Sequence, residues 1–194
     1  MKKLIILILF FSLIICTSLI AAESSEKEAS MQGFIEYCKT AMCRKNLNIK
    51  LKQPDGKYYE RSFDLLPPAV QGSAIYIYAG ETIFIEADVD GDHPVNFKQV
   101  LENKNPEKTI VFHLVQSTDI GDGTGMMLTV NNPFSRPLHY KMGMMPLDKG
   151  NLYKTSSCPV IAGGAVYEQW PHPIFQIVVG GLYFLKEGDS LECK

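Results

Sequence analysis

From residue 47 onward, apolar side chains recur at every second position in one short run after another. One such run covers 82–89, where Ile83, Ile85, Ala87 and Val89 alternate with Thr82, Phe84, Glu86 and Asp88. Successive side chains of an extended chain point to opposite faces, so this pattern predicts a strand with one face buried and the other wet. Leu47, Ile49 and Leu51 alternate in the same way, and Gln53-Pro54-Asp55-Gly56 supplies turn residues before a second run over 57–64. That pair predicts a hairpin. After the break at Pro67-Pro68, residues 74–78 and 82–89 form another pair across Ala79-Gly80-Glu81, and further strands are predicted over 109–116, 126–130, 138–144 and 174–185. Gly180-Gly181 divides the last run, either as a bulge in one strand or as a tight turn between two. Phe97, Val100 and Leu101 have helical spacing, which predicts about two helical turns over 97–103. The stretch from 145 through Cys158-Pro159 reads as irregular. About eight short strands, with almost no helix and no strand–helix–strand alternation, specify an all-β fold. The expected architecture is an antiparallel β-sandwich, immunoglobulin-like or cupredoxin-like, with one or two short helices.

Lys2 and Lys3 precede an apolar run that ends on the small residues Ala21 and Ala22. This is the build of a secretory signal peptide over 1–22; the alternative is an uncleaved anchor, since the run approaches the roughly 18 residues that span a bilayer. Residues 23–46 are then a flexible leader and a short disulfide-bound segment, helical or irregular, and 47–194 a single sandwich domain. Removing the export segment leaves Cys38, Cys43, Cys158 and Cys193, an even number that in an exported chain favours two disulfides. Cys38 with Cys43 and Cys158 with Cys193 is the preferred pairing. The first requires a turn between the partners, because five residues along a helix carry the side chains apart. The second closes a loop of about 35 residues and ties down the C-terminal tail. The expected location is the periplasm or the cell exterior, with no membrane association once the signal is removed. The net formal charge is −2, and more negative without Lys2 and Lys3. Such a chain has no electrostatic reason to bind phosphate backbones, so nucleic acid is not an expected partner.

Asp88, Asp90 and Asp92 stand at alternate positions, a spacing with which a loop wraps calcium. An EF-hand loop would need Gly where His93 stands and a bidentate Glu where Gln99 stands. A solvated turn is the competing reading. His93, His113, His139 and His172, with Met126, Met127, Met142, Met144 and Met145, form a soft-ligand inventory suited to copper. No Met follows His172, however, and methionines alternating along a strand commonly fill a core. Neither Gly-x-Ser-x-Gly nor His-Glu-x-x-His occurs, so no catalytic residues are assigned and no cofactor is expected beyond calcium or copper. The glycine-rich segment 121–125 reads as a mobile hairpin loop. Tyr167, Trp170 and His172, with Pro171 and Pro173 stiffening the chain, suggest an aromatic contact surface; the alternative is that Trp170 plugs the core. The expectation is an exported, non-enzymatic binding or structural module for a protein or small-molecule ligand of unknown identity. The alternative is a calcium- or copper-binding exported protein.

Overall fold

The computed structural model describes residues 30–194. The signal peptide read at 1–22 lies outside them. Residues 30–40 are helical, and the chain leaves this helix at Ala41, whose N–H donates to Tyr37 O at 3.0 Å. Cys38 and Cys43 are both disulfide-bonded. Among the described residues no helix is long and apolar enough to cross a membrane.

Cys43–Lys194 is a separate compact unit and carries the strands. Strands β1 (Arg44–Lys52) and β2 (Tyr58–Leu66) pair as the expected hairpin, starting at Arg44 rather than Leu47. The next strands in the chain are β3 (Val70–Gln71), β4 (Ala74–Tyr78), β5 (Thr82–Asp90), β6 (His93–Val100), β7 (Thr109–Gln116) and β8 (Met126–Asn131). They are followed by β9 (Leu138–Pro146), β10 (Tyr153–Thr155), β11 (Ala165–Trp170) and β12 (Ile174–Phe184). One sheet has the order β10-β9-β12-β4-β3 and the other β11-β8-β7-β5-β6. Every neighbouring pair is antiparallel. The antiparallel sandwich foreseen from the alternation is therefore the fold.

Its core is the alternation made solid. Ile83, Ile85 and Ala87 of β5, Ile110, Phe112 and Leu114 of β7, and Met126, Leu128 and Val130 of β8 come from one sheet. Ile75, Ile77, Leu138, Tyr140, Met142, Ile177 and Val179 come from the other. Each large side chain so buried stabilises the fold by about 1.5–3 kcal/mol before entropy is counted. Met126 and Met142 are thus core filling.

Two local expectations are corrected. Residues 97–100 belong to strand β6, not to a helix. The β5–β6 register shifts between Glu86 and Asp88, and Asn96 sits at φ 54°, so an inserted residue gives the apolar positions a spacing that imitates a helix. Leu101, read as part of the helical face, points into solvent at 79% exposure. The stretch read as irregular contains the edge strand β10, and the edge strand β11 follows it. In β11 the inward positions include Glu168 and the outward ones Tyr167, which inverts the hydropathy that would mark a strand. The glycine-rich loop packs closely at two of its glycines: a side chain on Gly121 would strike the Pro171 carbonyl, and one on Gly125 would strike Ile120 and the Trp170 carbonyl. The choice left open at Gly180-Gly181 resolves as one strand with a register shift, Gly181 taking φ 59°.

The β1–β2 hairpin lies against the sandwich through Ile49 and Leu51, both buried, and through Tyr59 and Phe63, whose rings stand 6.1 and 6.0 Å from that of Phe175. Gln116 replaces a missing strand partner. Its Oε1 accepts Lys52 N–H at 2.7 Å, while its Nε2 donates to Lys52 O at 2.9 Å and to Thr124 O at 3.0 Å. Where β1 begins, Arg44 donates through Nε to Glu81 Oε1 at 2.7 Å, and its remaining nitrogens reach the carbonyls of Pro67 and Tyr76. Glu81 Oε2 accepts Tyr78 N–H at 2.8 Å.

Candidate functional site

At one end of the sandwich, three turns surround a cleft of about 580 Å³. Gln53 and Pro54 come from the β1–β2 turn, Pro146 to Lys149 from the end of β9 and the turn after it, and His172 and Pro173 from the β11–β12 turn. Met144 and Tyr153, opposite one another in the β9–β10 register, complete the floor with Leu147. Met144 follows Tyr140 and Met142 at alternate positions along β9, so the floor continues the core face into the open end.

Two of the turns are fastened to each other. Leu147 N–H donates to Pro173 O at 3.1 Å, joining the β9–β10 and β11–β12 turns. Behind the latter, Gly121 packs on the Pro171 backbone at φ 57°, a conformation that favours glycine and a proximity that requires it. Lys149 Nζ lies 6.0 Å from the centroid of the Tyr153 ring, and Lys154 and Asp148 complete the charged rim. His172 Nδ1 is 3.5 Å from Pro173 O.

The residues singled out in the sequence are dispersed. Trp170 is buried at 8% exposure and donates from Nε1 to Thr155 Oγ1 at 3.1 Å, so it is the core plug and not a surface anchor. Tyr167 points outward at 62% exposure, on the opposite face of β11. Of the three, His172 is at the cleft. Asp88 and Asp90 share one face of β5, and Asp88 Oδ2 accepts from Asn96 Nδ2 at 3.1 Å. Asp92 lies beyond the Gly91 turn, where Arg136 at 2.7 Å and Lys186 at 3.4 Å bind it and hold its carboxyl below the ordinary value. Among the described residues no group of three or more His, Cys, Asp or Glu is placed to hold a metal ion. The histidines go to separate places: His93 Nδ1 to Leu182 O at 3.1 Å, His113 Nδ1 to Thr82 Oγ1 at 2.6 Å, His139 into the interior and His172 to the cleft.

Cys158 and Cys193 form a disulfide as expected, with Cα atoms 4.0 Å apart. The tail beside it is stitched to the sandwich by reciprocal backbone bonds, Ser157 N–H to Lys194 O at 2.8 Å and Lys194 N–H to Ser157 O at 3.0 Å. Glu168, buried on β11, accepts Cys158 N–H at 2.6 Å. Burial pushes its carboxyl above the ordinary value, against the opposing pull of that N–H and of the Tyr140 hydroxyl. Burial likewise raises Tyr140, helped by the Glu168 charge. His139 is 5% exposed beside the Tyr183 ring, and among the described residues neither of its ring nitrogens has a hydrogen-bond partner. Burial, and then the charge of Lys194, hold it below its ordinary 6.5.

His139 sets a direction for the pH dependence. The unfolded chain takes up this proton near pH 6.5 and the folded chain only at lower pH, so between those values the unfolded state binds more protons and stability falls as pH is lowered. Glu168 acts with the opposite sign: above pH 4.5 and up to its raised value, the folded state binds the extra proton and stability rises as pH is lowered. His139→Phe removes the first contribution and leaves the second. The urea midpoint is therefore expected to drop more for the natural chain than for His139→Phe between about pH 7.5 and about pH 5.5. Parallel profiles for the two chains would refute it.

No family model, no curated protein and no solved structure matches this chain.

Proposed function

We propose that this protein is an exported, non-enzymatic β-sandwich binding module that takes a small-molecule ligand in the cleft at the end of the sandwich. The cleft itself carries the reading: about 580 Å³, floored by apolar side chains that continue the core and walled by three turns, two of them joined by a backbone hydrogen bond. Ligand sites are concave spaces of about 300–1,000 Å³, mostly apolar, with a few placed polar groups. Lys149, Lys154 and His172 are such groups here. The disulfide-bonded cysteines fit an oxidising compartment, which supports export.

A fragment screen against the mature chain, read by protein-observed NMR, tests this. Bound fragments are expected to move the amides of Leu147, Tyr153 and His172, and Met144→Trp, which fills the floor, is expected to abolish the shifts while the chain stays folded by circular dichroism. Hits that leave those amides still and gather elsewhere would reject the cleft as the site.

A further inference from the structure

We infer that the cleft selects amphipathic anions, an acidic head group on an apolar body; this deepens the reading of the cleft as a ligand site and rests on it. The floor accepts the apolar body. Met144 and Tyr153 lie side by side across the β9–β10 register, and Leu147 and Pro173 flank them. The unbranched thioether of Met144 adapts to bodies of different shape.

The rim selects the charge. Lys149 and Lys154 are the cations on it and Asp148 the carboxylate, so the rim has an excess of positive charge on a chain whose net formal charge is −2. Elsewhere in the sandwich Lys50, Lys57, Lys108 and Lys186 are held in ion pairs at 3.0–3.4 Å. Among the described residues neither Lys149 nor Lys154 has such a partner. The Tyr153 ring beneath Lys149 Nζ, at 6.0 Å, keeps one ammonium directly above the apolar floor. An anionic head therefore meets an unpaired ammonium where its apolar body meets the floor. A cationic head meets like charge there.

Calorimetric titration of the mature chain with octanoate, octanol and octyltrimethylammonium, all below their micellar range, tests the inference. Octanoate is expected to bind at least about tenfold more tightly than the cation, and the double variant Lys149→Met/Lys154→Met to lose about tenfold for octanoate with octanol unchanged. Equal binding of all three by the natural chain, or octanoate binding that survives the double variant, overturns anion selection and leaves the cleft as a ligand site. Binding of none of the three overturns the inference along with the alkyl-binding floor on which it rests. If the double variant fails to fold, the anion–cation comparison on the natural chain decides alone.

Discussion

Arg44→Ala is expected to lower the stability of the folded chain by about 3–5 kcal/mol, the range for breaking a buried ion pair from one side. The Arg44 and Glu81 side chains are 5% and 10% exposed, so the pair is largely screened from water. Truncation leaves the Glu81 carboxylate with the Tyr78 N–H and without its counter-charge, and it leaves the Pro67 and Tyr76 carbonyls without their donor. The Tyr78 ring, 5.0 Å from the guanidinium carbon, also loses the group stacked on it. A paired replacement, Arg44→Met with Glu81→Leu, removes both charges together and is expected to recover much of the loss. Urea denaturation of the three chains measures this. A loss below about 1 kcal/mol for Arg44→Ala would mean that the pair behaves like an exposed one.

The second large effect belongs to the disulfide between Cys158 and Cys193. Their sequence separation is 35, for which the chain-entropy model gives about 4 kcal/mol of stabilisation. Replacing both by Ser is expected to lower stability by about that much and also to free the tail, because the two backbone bonds between Ser157 and Lys194 then have no covalent tether. His139 is held low partly by the charge of Lys194, so its environment changes with the tail. The Cys158→Ser/Cys193→Ser chain should therefore melt earlier and exchange the Lys194 amide quickly, and its histidine pH dependence should shrink. Unchanged exchange at Lys194 would indicate that the hydrogen bonds alone hold the tail.

The fold was legible where a strand buries one uniform face. Ile83, Ile85 and Ala87 are apolar and inward, their neighbours polar except Phe84, and the period is readable without knowing the partner strand. It was illegible where burial and hydropathy part company. Glu168 is inside because Cys158 N–H satisfies it, and Tyr167 is outside, so β11 carries an inverted pattern. A bulge had the same effect at Phe97 and Val100, since one inserted residue changes the phase of the alternation. The disulfide between Cys158 and Cys193 could be preferred from the even cysteine count and the location of the tail. The cleft could not be read, because Pro54, Met144, Lys149 and His172 are brought together by three turns far apart in the chain. The signals were present singly: His172 stood out between two prolines, and Met144 belonged to the methionine series. What was missing was the register that turns Met144 toward the open end beside Tyr153.

The two-stranded β1–β2 unit supplies one lip of the cleft, while β9 and β10 of one five-stranded sheet supply its base. The lip is seated by the side-chain amide of Gln116 and the ring of Phe175 rather than by a continuous ladder. Occupancy and seating are consequently linked: a guest touching both layers acts as an added rivet, and a loosened lip weakens the guest by the same factor.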